Sequence, residues 1–321
     1  MKMEKFFKHL VRIKEFSSVL GLLIVMFIFT LLSDKFLTTP NLMSIFTITS
    51  ELGIMAIGVC LLMISGEFDL SVSSVFAIAP MVGVLLANAG VPLPIAFIVG
   101  LATCAAIGLF NGYIVLTTQI PSFIVTLGGM MFYRGILLAV TGGFSIIYQG
   151  DPGGFMNVLG GRTAFGLRAS GVWFIALMII VSIILNNTKY GNHVFAVGGN
   201  PGTAKAVGIN VFKVKMLNFM ICSMTAGLAG FMAFGRFRGV DPTSGTLMEL
   251  EAIAASVIGG ALLSGGYGSI IGAFIGAFLI GVMRSGLILA GAPAYWYRGF
   301  IGVVLVISVI INTKIRKAVA G

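Results

Sequence analysis

The sequence predicts an all-α protein that crosses a lipid bilayer about ten times. Of its 321 residues, 58% are hydrophobic and only 9% are charged, which leaves too little polar surface to cover a water-soluble domain. The 44 glycines are typical of membrane helices that pack backbone to backbone. Because one crossing needs about 20 apolar residues, we expect the chain to be filled by its crossings and short loops.

Apolar runs bounded by charges, glycine or proline mark the ten predicted spans. In order, they are residues 17–34, 48–64, 72–89, 93–117, 121–140, 171–187, 215–234, 247–263, 269–290 and 296–312. The basic segment 1–16 precedes the first run, and no small-residue cleavage site follows it, so we expect an uncleaved first helix. We therefore predict one transmembrane domain over residues 17–312, followed by a tail at 313–321.

The basic residues predict which side of the membrane each loop faces. Twelve of the 20 lysines and arginines lie in the N-terminal segment, in the loop 188–215 and in the C-terminal tail. An even number of spans places these three regions on one face, and basic loops face the cytoplasm. We expect both termini to be cytoplasmic. The net charge of +10 then faces anionic lipid, and no nucleic-acid partner is expected.

Three features recur in the same order in two halves of the chain, 17–140 and 171–312. A ridge of small residues lies in the fourth and ninth spans, a capped proline opens a short segment before the second and seventh spans, and acidic residues mark the starts of the third and eighth. In the first half these features are Gly100, Cys104, Gly108 and Gly112, then Thr39-Pro40, and then Glu67 and Asp69. In the second half the corresponding features are Gly268, Gly272 and Gly276, then Asn200-Pro201, and then Glu249 and Glu251. Because five is odd, a repeat after five spans would be inverted.

The loop 188–215 contains a glycine- and lysine-rich stretch, GGNPGTAK, at residues 198–205. A phosphate-binding loop requires G-x-x-x-x-G-K-[ST]. Here Lys205 comes three residues after Gly202 and is followed by alanine, so the stretch does not fit that motif.

The same stretch predicts a short helix instead. Asn200 can cap its start, Pro201 suits its first turn, and Gly208 can end it in the left-handed conformation. Two turns are too short to be stable alone in water, so this helix must rest on something. Two readings stay open: a docking element for a partner protein, or a helix that lies on lipid head groups.

Four segments of the chain together resemble the permease subunits of ABC importers of the ribose/xylose type. They are Gly198-Gly199-Asn200 with Gly208-Ile209, DLSV at 69–72, IPSFIVTLGGMMFYRGILLAVTGG at 120–143, and ELEAIAASVIGGALLSGGYG at 249–268. The resemblance covers most of the chain in order. One departure is Glu67: the family often has Gly-Gly-Ile-Asp where this chain has Gly66-Glu67-Phe68-Asp69, so Glu67 is an extra acid.

The resemblance implies a transport subunit of a bacterial inner membrane that catalyses no reaction itself. Such permeases work as pairs, identical or nearly so, bind a cytoplasmic ATPase that carries ATP and Mg, and receive sugar from an extracytoplasmic binding protein. No cofactor or metal is expected on this chain. The residues that the resemblance assigns to ATPase coupling are Gly199, Asn200, Pro201, Ala204, Lys205, Gly208 and Ile209. We expect a bulky residue at Ala204 to prevent docking, because the helix has a face of small residues.

Charged and polar residues near or within the spans are candidates for the solute path, since charges at membrane depth are costly and often functional. They are Glu67, Asp69, Asn111, Arg134, Glu249 and Glu251. A simpler alternative is that Asp69 caps the third span at Ser71 and that the two later glutamates begin the eighth span.

Other classes of membrane protein stay open at this point. A secondary transporter driven by protons through Glu67 or Asp69 would also contain inverted repeats. A membrane enzyme would need a catalytic motif, and the chain shows neither a His-Glu metal motif nor a nucleophile elbow. A cobalamin-type importer would share the ten-span fold. The cargo could be a pentose, a hexose, a polyol, a signalling furanose or a nucleoside.

Overall fold

The structure, a computed structural model, describes residues 15–151, 153–163, 166–293, 296–297, 299–304, 306–307 and 310. Most of both predicted tails lies outside these residues. The helices are α1 (Phe16–Leu32), α2 (Thr39–Ile64), α3 (Val72–Asn88), α4 (Leu93–Thr118), α5 (Ser122–Thr141), α6 (Gly153–Gly160), α7 (Ala169–Asn187), α8 (Lys189–Gly199), α9 (Pro201–Ala206), α10 (Val211–Phe237), α11 (Met248–Ile258) and α12 (Ile270–Leu289). Strands β1 (Ile146–Ile147) and β2 (Gly239–Val240) pair antiparallel.

Six helices within the described residues are long and apolar enough to cross a membrane. They are α2, α4, α5, α7, α10 and α12, while α1 and α3 are shorter apolar helices. In the predicted tenth span, the described residues 296–297, 299–304, 306–307 and 310 are helical. The mostly helical, membrane-type fold is confirmed, and the number of ten crossings stays a prediction.

Two predicted spans differ from the observed helices. The second was predicted at 48–64, but α2 begins at Thr39 with Pro40 in its first turn, so the separate segment expected before it is wrong. The eighth was predicted at 247–263, but α11 ends at Ile258. With 11 residues, α11 is about 16 Å long, roughly half of a bilayer core. It ends where Gly260 adopts a φ of +94°.

The core is built around α2, in which residues 49–64 are all buried. Helices α7, α10, α11 and α12 pack against it, and α10 also packs against α3 and α4. By contrast, α4, α5 and α7 expose large apolar side chains, including Ile98, Phe110, Phe123, Phe132 and Ile183. These outer surfaces require lipid or another apolar partner.

The predicted ridges of small residues are confirmed as sites of close helix packing. A Cβ atom added at Gly108 of α4 would lie 2.5 Å from the carbonyl oxygen of Phe219 in α10. A Cβ added at Gly276 of α12 would lie 2.0 Å from the carbonyl oxygen of Ala255 in α11. Only glycine lets these backbones approach so closely.

The bundle has two distinct ends. The α9 end carries α9, the turn 65–69 and the loop 259–269; the ribbon end carries β1, β2 and the segments beside them. At the ribbon end, the Asn88 amide donates to the carbonyl oxygen of Ile147 at 3.0 Å and accepts from the backbone N–H of Gln149 at 3.0 Å. This contact fixes the ribbon to the end of α3.

Candidate functional site

The capped helix α9 projects from one end of the bundle, as the local sequence predicts. The side chain of Asn200 accepts a hydrogen bond from the backbone N–H of Thr203 at 2.9 Å, and Pro201 occupies the first turn. After the helix, Gly208 has a φ of +86°, and the backbone N–H of Ile209 donates to the carbonyl oxygen of Ala204 at 3.0 Å. The predicted cap, first turn and left-handed end are confirmed.

The orientation of α9 differs from the one expected. Ala204 is 2% exposed and is the buried residue of this helix, so it faces the bundle and supports α9 from within. Gly199, Asn200, Pro201, Lys205 and Gly208 are exposed, and Ile209 is partly buried. A partner could therefore touch most of the predicted coupling residues directly, but not Ala204.

A groove of about 680 Å³ lies beside α9. Its walls come from the end of α4, from α9 and from the start of α10. They are formed by Leu116, Gln119, Pro201, Gly202, Lys205, Gly208, Ile209, Asn210, Val211 and Phe212. Apart from Lys205, none of these ten lining residues is charged, so the groove presents a mostly apolar surface with one cation.

A buried polar network lies close to the α9 end, between α3, α4, α5 and α10. Asp69, which is 1% exposed, accepts from the backbone N–H of Ser71 at 2.8 Å and from its hydroxyl at 2.6 Å. The Asn111 amide donates to the Ser71 hydroxyl at 2.9 Å, and the Tyr133 hydroxyl donates to Asn111 at 2.8 Å. Ser223 of α10 donates to Asp69 at 3.4 Å. The predicted cap of Asp69 on Ser71 is confirmed, and two solute-path candidates share one network.

Within the part of the chain that the structure describes, three acidic side chains form ion pairs that sequence reasoning did not predict. Glu67 lies 2.5 Å from the Lys215 amine, Glu51 lies 2.8 Å from Arg236, and Glu251 lies 2.8 Å from Arg284. The partners are 148, 185 and 33 residues apart in sequence. The first two pairs join α10 to α2 or to the turn that follows α2. Glu67 therefore has a structural partner within the chain.

Arg134, the residue after Tyr133 of the buried network, and Glu249 lie where the start of α3 meets the segment before α11. The Arg134 guanidinium donates to the carbonyl oxygens of Ser73 at 2.9 Å and Ser244 at 3.0 Å, and also to that of Pro242. It thereby joins α5 to α3 and to the segment before α11. Glu249 lies in the first turn of α11, as predicted, and is 5% exposed.

The six solute-path candidates thus do not form one cluster. Asp69 and Asn111 share the buried network, Arg134 and Glu249 lie where α3 meets the segment before α11, and Glu67 and Glu251 are held in separate ion pairs. No pattern in the sequence singles out Glu51, Lys215 or Ser223, because each gains its role from a residue far away in the chain.

At the ribbon end, Asp241 is held in its charged form. Thr243 donates to it through the backbone N–H at 2.7 Å and through the hydroxyl at 2.5 Å, and Ser145 donates at 2.8 Å. These hydrogen bonds lower the pKa of Asp241 below its usual value. A lowered carboxyl pKa stabilises the fold above the unfolded-state pKa and loses that contribution as the pH falls.

Apolar helices that can cross a bilayer, buried polar contacts between them and a capped helix at one end define an integral membrane permease. The chain belongs to the family described as branched-chain amino acid transport system / permease component, whose model matches residues 41–309. The resemblance to ribose/xylose-type import permeases is confirmed by individual relatives.

Three relatives cover nearly the whole chain. The Ribose import permease protein RbsC of Escherichia coli (strain K12) is 34% identical over 305 residues, which are 94% of each chain. The Autoinducer 2 import system permease protein LsrC of Enterobacter sp. (strain 638) is 34% identical over 97% of this chain and 90% of its own. The Xylose transport system permease protein XylH of Haemophilus influenzae is 30% identical over 96% of this chain and 98% of its own. No solved structure matches.

Proposed function

We propose that this chain is the transmembrane subunit of an ABC importer that carries a monosaccharide or a similar hydroxylated solute. A separate ATPase, which binds ATP and Mg, supplies the energy, and an extracytoplasmic binding protein delivers the solute. The chain catalyses no reaction and holds no cofactor. The observation that carries this proposal is α9, a capped helix on one end of a bundle whose relatives are named as import permeases.

The directions of the helices support ten spans in two inverted halves. Side-chain and backbone contacts make α2 and α10 antiparallel, since Glu51 meets Arg236 near one end and Glu67 meets Lys215 at the other. In the same way, α4 runs antiparallel to α10, and α12 runs antiparallel to both α2 and α11. Helix α7 runs parallel to α2, since Gly171 meets Phe46 and Phe174 meets Gly53. Helix α1 runs parallel to α12, since Gly21 meets Leu279 and Phe29 meets Gly286. Helix α7 therefore begins the second half in the direction opposite to α1, as an inverted repeat requires.

The directions of the helices also support an orientation in which the α9 end faces the cytoplasm. Helix α1 starts at the α9 end, where Glu15 accepts a hydrogen bond from Ser269, so the start of α1 and the basic loop 188–215 lie at the same end of the bundle. Basic loops favour the cytoplasmic side. The ATPase would then dock on α9 and its groove, and the binding protein on the ribbon end. The exposed apolar faces of α4 and α5 offer surface for lipid and for a second permease subunit, identical or not.

The exposed face of α9 gives a prediction for ATPase docking. Replacing Ala206, which is exposed, with tryptophan should abolish co-purification of the ATPase and leave α9 folded, because the indole occupies the docking surface. Ala204→Trp should also abolish docking, but by expelling α9 from the bundle, so its α9 amides should exchange hydrogen faster. Ala89→Trp at the ribbon end is the control. Normal ATPase recovery with Ala206→Trp would contradict the proposed docking face.

Reconstitution into vesicles tests the proposed function as a whole. We expect uptake of labelled ribose, xylose or autoinducer 2 only when permease, ATPase, binding protein and ATP are all present, and no effect of a proton uncoupler. Uptake by the permease alone that an uncoupler abolishes would instead establish the alternative, a proton-coupled secondary transporter. The three probes follow the names of the relatives, and the one that is transported identifies the cargo class.

A further inference from the structure

Three segments meet backbone to backbone at the α9 end, at what we call the glycine junction: Gly66, Gly198, Gly265 and Gly266. Gly198 is the penultimate residue of α8. A Cβ atom added there would lie 1.7 Å from the carbonyl oxygen of Ile64 and 2.6 Å from the backbone nitrogen of Gly266. The backbone N–H of Gly266 donates to that same carbonyl oxygen at 2.8 Å. The end of α2, the end of α8 and the loop before α12 therefore share one contact point.

The other junction residues are glycine for a second physical reason. Gly66, Gly265 and Gly266 have φ values of +87°, +78° and +76°, a region that residues with a Cβ atom rarely adopt. A Cβ at Gly265 would also lie 2.8 Å from the Cα of Gly66. Since the contact consists of backbone atoms, no side-chain rotamer can absorb a relative displacement of the three segments.

The junction lies directly beside the structures that an importer must connect. Helix α9 begins three residues after Gly198, and Asp69 of the buried network lies three residues after Gly66. The Glu67–Lys215 pair joins the same turn to the start of α10. On the other side, Ser269 caps α12 by accepting from the backbone N–H of Gly272. A displacement of α9 would thus reach the ends of α2 and α12 without passing through a flexible side chain.

We propose that Gly198 is a positioning residue for transport, and that the glycine junction makes α8, α9 and the adjoining ends of α2 and α12 move as one body. This inference rests on the proposed function, in which the ATPase moves α9. Gly198 touches neither solute nor ATP; it transmits the movement of α9 to the helices that enclose the solute path.

Two glycines in helices near the α9 end provide a matched test. Gly198→Ala should still bind the ATPase but lower solute uptake per ATP hydrolysed by about tenfold, within the range of coupling between sites. Gly21→Ala in α1 should transport like the wild type, because its added Cβ would meet only a side-chain carbon of Leu279, at the ordinary contact distance of 3.5 Å. Normal uptake per ATP in Gly198→Ala would overturn the inference. Failure of the complete wild-type system to transport would instead count against the proposed function.

A distance measurement tests the junction even if Gly198→Ala does not fold. Nitroxide labels at Val207→Cys and Leu263→Cys, both exposed positions, report on the two sides of the junction. In vesicles where labelled subunits are diluted with unlabelled ones, we expect the distance between the labels to be the same with and without trapped ATP. A change of about 5 Å, one helical turn, would overturn the inference, because the segments would then move separately.

Discussion

Replacing Gly276 with leucine should push α11 away from α12 and strongly destabilise the folded protein. A Cβ atom at this position would lie 2.0 Å from the carbonyl oxygen of Ala255 and 2.9 Å from its carbonyl carbon. These are backbone atoms of a buried helix, so they cannot rotate away. Overpacking of a core costs about 1–3 kcal/mol and occasionally more, and we expect this variant to lie near 3 kcal/mol. The melting temperature in detergent and the monodisperse yield both measure the loss.

Gly128→Leu is the matched control for this prediction. Gly128 also lies inside a long apolar helix, α5, but an added Cβ atom there would meet nothing within 4 Å. The same substitution should leave the melting temperature unchanged or raise it slightly, because leucine favours the helix over glycine. Equal melting temperatures for the two variants would contradict the packing of α12 on α11.

The small-residue ridges illustrate how far the sequence predicts the fold. The spacing of Gly268, Gly272 and Gly276 predicts that another helix approaches closely, and one does. The spacing contains no information about which helix this is. The partner, α11, is a half-length helix that ends at Ile258, and the apolar residues after it extend the hydrophobic run without extending the helix. A hydropathy profile does not detect this end, because the apolar run continues past it. The helix ends because Gly260, just after it, adopts a left-handed backbone conformation.

In helix α9, too, the features that depend on neighbouring residues are predictable, and those that depend on distant residues are not. The cap by Asn200 and the turn at Gly208 depend on neighbouring backbone atoms, so residue type and order are enough to predict them. The burial of Ala204 depends on the surface beneath the helix, and a two-turn helix has too few residues for a periodic pattern to reveal its inner face.

The contacts of the polar solute-path candidates also divide into local ones, which are predictable, and distant ones, which are not. The contact of Asp69 with Ser71 spans two residues and is predictable from capping rules. Its contact with Ser223 spans 154 residues and follows only from the packing of α3 on α10. The ion pair of Glu67 with Lys215 is of this second kind, which is why Glu67 stands out in the sequence as an unexplained departure from related permeases.

Replacing Lys215 with methionine should destabilise the protein by about 3 kcal/mol. The two side chains of the Lys215–Glu67 pair are only 11% and 13% exposed, so the variant leaves a largely buried carboxylate without its cation. Breaking a buried pair costs about 3–5 kcal/mol, and the remaining exposure places the expected value at the lower limit. Thermal unfolding measures the loss, and uptake per ATP in vesicles should fall with it, because the start of α10 is released from the turn after α2.

A second substitution should restore most of that stability. Glu67→Leu combined with Lys215→Met removes both charges and places apolar side chains of similar volume at both positions. Replacing a buried ion pair by apolar side chains of similar volume is often neutral or stabilising, so the double variant should melt close to the wild type. If the two substitutions instead lower the melting temperature additively, the residues are not energetically coupled. The double variant also separates two roles of Glu67: normal transport would mean that this acid only fixes the turn, and lost transport at normal stability would place its charge in the solute path.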